Sequence, residues 1–214
     1  MKIAAILFSL ASLALSSGTA FSSTVLVTSD PHIGTTTTFT DTGNNGFGNP
    51  GPTILDGFSV TGNPQVTYGN ANYNIGSNGQ WNQSWIATNS IGSITFNLGG
   101  AYSFVGGLMN YGDYGGPDPT VTALGTDGAT VIGTYDLVTM APISTPGAIN
   151  GEAFRGIESS SANIGYFRLS GDFILAHSIE VGGTASPVPE PSSLLLITSG
   201  LLGAAGAVRR KLFN

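Results

Sequence analysis

Thr120-Val121-Thr122-Ala123-Leu124 and Thr130-Val131-Ile132-Gly133-Thr134-Tyr135-Asp136-Leu137, joined through Thr126-Asp127-Gly128, decide the fold. Two runs rich in β-branched residues flank an Asp-Gly pair, the tight-turn signal of an antiparallel hairpin. Outward from it the same pattern recurs. Ile94-Thr95-Phe96-Asn97-Leu98 alternates apolar and polar, and Tyr102-Ser103-Phe104 does so briefly before running into Val105. Gly165 to Ser170 and Phe173 to Val181 flank a second expected turn, Ser170-Gly171-Asp172. On that last strand Phe173, Leu175, His177, Ile179 and Val181 are expected on one face, with Ile174, Ala176, Ser178 and Glu180 on the other. Asn45-Gly46, Asn78-Gly79 and Asn150-Gly151 mark further turns. Ser22 to Ser29 and Thr35 to Thr40 read as strands, and Trp81 to Thr88 as a strand or a short turn. Asp41 to Pro52 and Gly69 to Gln83 are too rich in Gly and Asn to assign. No internal repeat is visible in the body, nor a helical period longer than ~10 residues. Many short strands with regular turns predict an all-β fold, an antiparallel β-sandwich of jelly-roll type.

Composition narrows the chemistry. From Phe21 to Ser186 the only cations are Arg155 and Arg168, against eight Asp and three Glu. Such a surface repels nucleic acid and anionic lipid. The chain has no cysteine, which rules out thiol catalysis, zinc-thiolate and iron–sulfur sites. The domain must be stable without disulfides.

Both ends carry sorting information. Lys2 precedes an apolar run from Ile3 to Leu15, followed by Ser16-Ser17-Gly18-Thr19-Ala20. This reads as a signal peptide over residues 1–20, with Gly18 and Ala20 meeting a small-x-small cleavage rule before Phe21. Residues 21–186 then form one extracellular domain, and 187–214 a tail. In the tail Pro187, Pro189 and Pro191 fix φ and remove backbone donors, so the segment is extended and Glu190 stands on a stiff stalk. Ser192 to Val208 is 17 residues without a charge. At about 1.5 Å per residue the run spans roughly 25 Å, slightly short of a ~30 Å hydrocarbon core, and reads as a transmembrane helix. Gly200, Gly203 and Gly206 share one face, as in close-packing membrane helices. Arg209, Arg210 and Lys211 follow as a cytoplasmic stop, which places the body outside.

Pro189-Glu190-Pro191, the apolar span and the basic end together resemble the PEP-CTERM sorting signal of Gram-negative bacteria. The resemblance implies that Pro189, Glu190 and Pro191 are the motif recognised by an exosortase, a membrane transpeptidase-like enzyme. It also implies an association with exopolysaccharide and biofilm matrix. The run from Ile94 through the Asp127-Gly128 hairpin to the last strand is similar to galactose-binding-like jelly rolls of bacterial surface proteins. His177 stands where their last strand often carries an Asp.

Within the body, Tyr111 and Tyr114 flank Asp113, with Asn110 beside them; Trp81 and Trp85 lie in an Asn/Gln-rich stretch. Aromatic platforms beside carboxylates and amides suit sugars, so both groups are candidate glycan sites, with ordinary sandwich packing as the alternative. The loop from Tyr111 to Asp118 also offers Asp113 and Asp118 to calcium, or is an Asp-rich turn. His177 is expected to be an inward, space-filling histidine, and His32 an exposed one after Pro31. No nucleophile elbow, HExxH motif, P-loop or dinucleotide fingerprint occurs. The expected protein is therefore exported and non-catalytic, belonging to the envelope or matrix. A carbohydrate-binding module is the alternative, and a secreted hydrolase a second one.

Overall fold

The computed structural model describes residues 23–31, 34–38, 46–47, 53–55, 57–70, 72–88, 90–112 and 114–184. The expected signal peptide, the whole tail, His32 and Asp113 lie outside the described residues. Among the described residues sixteen strands follow one another: β1 (Thr24–Val27), β2 (Gly34–Thr38), β3 (Gly46–Phe47), β4 (Thr53–Leu55), β5 (Phe58–Asn63), β6 (Thr67–Gly69), β7 (Tyr73–Asn74) and β8 (Gln80–Trp81). Then come β9 (Trp85–Ala87), β10 (Ile91–Tyr111), β11 (Thr120–Gly125), β12 (Val131–Asp136), β13 (Ala153–Ser159), β14 (Ile164–Asp172), β15 (Ile174–Ala176) and β16 (Ser178–Thr184). One turn of helix, α1 (Leu137–Met140), follows β12.

All strand pairings in the ladders are antiparallel, and β10 organises them. Its first part, Ile91 to Asn97, pairs with β5 on one side and β14 on the other; β11 and β12 continue beyond β14. Its second part, from Tyr102 on, pairs with β13 on one side and with β16 and β15 on the other. β1 lies beyond β13, β2 beyond β16, and β9 beyond β15. The two parts are separated by a register break: between the pairs Asn97–Tyr166 and Tyr102–Ile164, residues Leu98 to Ala101 stand opposite Gly165 alone. Gly99 sits at φ 70°, where a side chain would be strained, and its N–H donates to the Asn97 Oδ1 at 3.0 Å. What reads in sequence as two strands, Ile94 to Leu98 and Tyr102 to Val105, is one strand folded over a corner from leaf to leaf.

The two leaves close on one apolar core, giving a sandwich-like body. Ile94, Phe96 and Leu98 of the first part of β10 meet Val105 and Met109 of the second, with Val121, Ile157, Phe167, Leu169, Ile179 and Val181. Alternation along β10 explains this: Ile94, Phe96 and Leu98 are buried while Thr95 and Asn97 are half-buried. A second apolar cluster of Tyr73, Ile75, Trp81, Trp85, Ala87 and Leu175 stands apart from this core. Among the described residues no helix is long and apolar enough to cross a membrane. The apolar run from Ser192 to Val208 is not among them.

The hairpin that decides the fold forms as expected. Gly125 N–H donates to Thr130 O at 2.8 Å, and Gly128 takes φ 68°. The second strand ends one residue early, because Asp136 caps α1 by accepting from Thr139 N at 3.1 Å. Two expectations for the C-terminal strands are corrected. Ser170-Gly171-Asp172 is not a turn: β14 runs through it, and the chain turns at Phe173, with φ 52°. The reason lies in β10, since Asp172 pairs with its first residue, Ile91, and Ile174 with its last, Tyr111. Phe173 bridges the two ends of the folded strand. Nor do the odd residues share one face. Ile174 and Ala176 belong to the main core, and so do Ile179 and Val181, while Leu175 belongs to the other cluster. Met109 pairs with Ala176 but Gly106 with Glu180, so the register slips by one residue in between. A β-bulge at His177 switches the parity.

Candidate functional site

The glycan candidates separate by exposure. Trp81 is fully buried and Trp85 is nearly so, and Trp81 Nε1 donates to Ser84 O at 3.4 Å. Tyr111 is buried as well; its hydroxyl accepts from Ile143 N at 3.0 Å. These three rings have no free face for a ligand. Tyr114 is different, with 46% of its surface open.

The structure nevertheless joins the two sequence groups. Trp85 lies 4.6 Å from Tyr73 between ring centroids, Tyr73 lies 6.3 Å from Phe173, and Phe173 lies 4.6 Å from Tyr114. This ladder of four rings runs from the interior to the surface. Tyr73 anchors it by donating its hydroxyl to Thr88 O at 2.6 Å, and burial pushes the phenol far above its ordinary range. Tyr73 and Phe173, which complete the ladder, are not singled out by the sequence. Phe173 has only a weak signal there, because its ring position depends on a turn that falls one residue beyond the Gly171-Asp172 pair.

A second set of buried residues, Asn110 of the glycan candidates among them, has a role that the sequence did not reveal. Asn78 Nδ2 donates to Tyr111 O and Ile143 O at 2.9 and 3.1 Å, and Asn78 Oδ1 accepts from Thr145 N at 3.1 Å. Asn110 Nδ2 donates to Thr145 Oγ1 at 2.9 Å and to Gly151 O at 2.6 Å. Arg155 donates from Nε, Nη1 and Nη2 to the carbonyls of Ala141, Phe154 and Pro142. Burial draws its guanidinium below the ordinary value, and Tyr111 partly opposes this. These buried polar groups lash the segment between α1 and β13 onto the sheet. They satisfy backbone groups of that segment, the role a buried amide or guanidinium most often has.

His177 Nδ1 lies 3.3 Å from Glu152 Oε2, and its ring meets Trp81 edge-on at 5.7 Å. Both atoms are sealed from solvent, and neither makes an aligned hydrogen bond. Asp118 is exposed, while its proposed calcium partner Asp113 lies outside the described residues. Among the described residues no three His, Asp or Glu side chains gather as a metal site.

The sorting residues Pro189, Glu190 and Pro191, and the basic residues Arg209, Arg210 and Lys211, lie outside the described residues. β16 ends at Thr184, three positions before Pro187. No curated protein matches the chain. Residues 187–211 match the family model of the PEP-CTERM protein-sorting motif, so a largely β-strand body is followed by the signal through which an exosortase sorts exported proteins.

Proposed function

We propose that this protein is a non-catalytic component of the cell envelope or extracellular matrix, associated with exopolysaccharide. A signal peptide over residues 1–20 starts export. The apolar span from Ser192 to Val208 then holds the chain in the inner membrane as a helix, with Arg209, Arg210 and Lys211 cytoplasmic and the body outside. An exosortase-type enzyme meets Pro189-Glu190-Pro191 on its extended stalk and processes the chain there. The domain it releases to the surface is a sandwich of jelly-roll type. The observation that carries this reading is the match over residues 187–211. The cysteine-free, acidic body fits it, since it folds without disulfides and is repelled by nucleic acid.

Glu190→Ala tests the proposal, because it changes the exposed motif and leaves the apolar span and its basic end intact. Export through the inner membrane should proceed and processing should stop. Intact-mass measurement of the envelope fraction reads both. Loss of the C-terminal segment as efficiently as in the wild type would refute the role given to the motif.

A further inference from the structure

We infer that the solvent face of Tyr114 is a stacking platform for an uncharged pyranose sugar, so that the body binds a neutral polysaccharide there. Tyr114 is an open ring that is nonetheless held. It lies against Gly112, where any Cβ would press into the ring at 2.5 Å from Cε2. A Cβ at Gly76 would stand 3.2 Å from its Cζ. Its hydroxyl donates to Asn74 O at 3.3 Å, and Phe173 meets it at 4.6 Å with the rings tilted by 51°. Two glycines therefore let the backbone come under the ring, while 46% of the residue remains exposed. A surface ring that is already immobilised loses little freedom when a ligand stacks on it.

Phe173 is the strut behind it. Its φ of 52° is a left-handed conformation that a bulky residue rarely adopts, and such outliers concentrate where function needs them. The turn sets its ring between Tyr73 and Tyr114. Gly112 N–H donates to Phe173 O at 3.1 Å, which ties the loop carrying Tyr114 to that turn.

The ligand class follows from chemistry. A pyranose has an apolar face of C–H groups that stacks on an aromatic ring, and equatorial hydroxyls that need polar partners at the rim. Asn74, exposed, touches the Tyr114 hydroxyl through its backbone carbonyl and offers its side-chain amide nitrogen as such a partner. Asp118, also exposed, follows four residues along the chain. Charge selects among sugars. With eleven carboxylates against two arginines in residues 21–186, the body repels uronate-rich or sulfated chains.

The test is a calorimetric titration of the full chain in detergent micelles. The probes are three neutral hexasaccharides, β-1,4-linked glucose, mannose and galactose, with hexaguluronate as the anionic counterpart. At least one neutral hexasaccharide should bind and hexaguluronate should not. Tyr114→Ala should weaken binding by about tenfold or more, the scale of one lost aromatic stack, whereas Tyr114→Trp should retain it. The thermal midpoint of each variant is measured alongside. If Tyr114→Ala lowers it, Tyr114→Lys, which keeps a long stem but no ring, carries the comparison at a temperature where it is folded. Silence of all three neutral probes, binding unchanged in a folded ring-less variant, or hexaguluronate bound as tightly would each overturn the inference. The titration does not involve processing of the tail, so its failure leaves the sorting proposal intact.

Discussion

Glu152 Oε2 and His177 Nδ1 form a buried contact between two polar side chains of this body. The atoms face each other at 3.3 Å, sealed from water and without an aligned hydrogen bond. Each therefore depends on the other for what compensation it has. His177 also fills the bulge and touches Trp81, so it is not a plain space-filler. His177→Leu should keep the apolar contact with Trp81 but strand the glutamate oxygen, at a cost of about 2 kcal/mol. Glu152→Met on its own should strand the imidazole in the same way. The double variant should be less destabilised than the sum of the singles, by about 1 kcal/mol, because no polar atom is left unpaired. Chemical denaturation of the four proteins measures this coupling. Additive losses would show that the two groups do not interact.

At the scale of the element, the hairpin of β11 and β12 is held by its turn aspartate. Asp127 Oδ1 accepts from Ala129 N and Thr130 N at 2.9 and 2.8 Å, and Oδ2 accepts from Thr130 Oγ1 at 2.6 Å. The Thr130 hydroxyl is the largest cause, followed by the two backbone donors, and together they lower the carboxyl to about 2. A carboxylate with a depressed pKa stabilises the folded turn at pH values above its unfolded value. That contribution is present in full above the ordinary aspartate range and fades as the pH falls toward about 2. The protection of the Ala129 and Thr130 amides, taken as exchange relative to the intrinsic rate at each pH, should therefore be constant at mild pH and fall below pH ~4. Thr130→Val, which removes the largest cause, should move the midpoint of that change upward. An unmoved midpoint would contradict the role given to the hydroxyl.

The whole molecule hangs its tail from a central position. β16 lies between β10 and β2, and β10 takes part in both leaves. A pull on the segment after Thr184 is thus borne by the strand that joins the core, not by a free edge. Such an attachment fits the proposed route, in which the body is held at a membrane before it is released. In the proposed topology the orientation rests on Arg209, Arg210 and Lys211. Replacing all three with neutral residues should weaken retention of the tail in the membrane and leave the body folded. Protease added to spheroplasts should digest or release the wild-type body from outside. A body protected from that protease would reverse the topology.

Sequence and tertiary structure divided this protein along a physical line. Local patterns determined what local forces decide. Asp127-Gly128 between two β-branched runs was enough for the hairpin, alternation in Ile94 to Leu98 for the buried face of that strand, and the lack of cysteine for the exclusion of thiol chemistry. The tail was legible for the same reason, since Pro189-Glu190-Pro191, the uncharged span and the basic end act through their order along the chain. Tertiary structure decided whatever depends on which remote segment covers which residue. Trp81, Trp85 and Tyr114 are equally aromatic in sequence, but two are buried in a cluster with Tyr73 and Leu175 while the third stays open. The corner in β10, the turn at Phe173 and the parity switch at His177 are settled by pairing between strands far apart in the chain. A two-residue period records which face a side chain takes within a strand, but not where the strand folds over or slips against a distant partner.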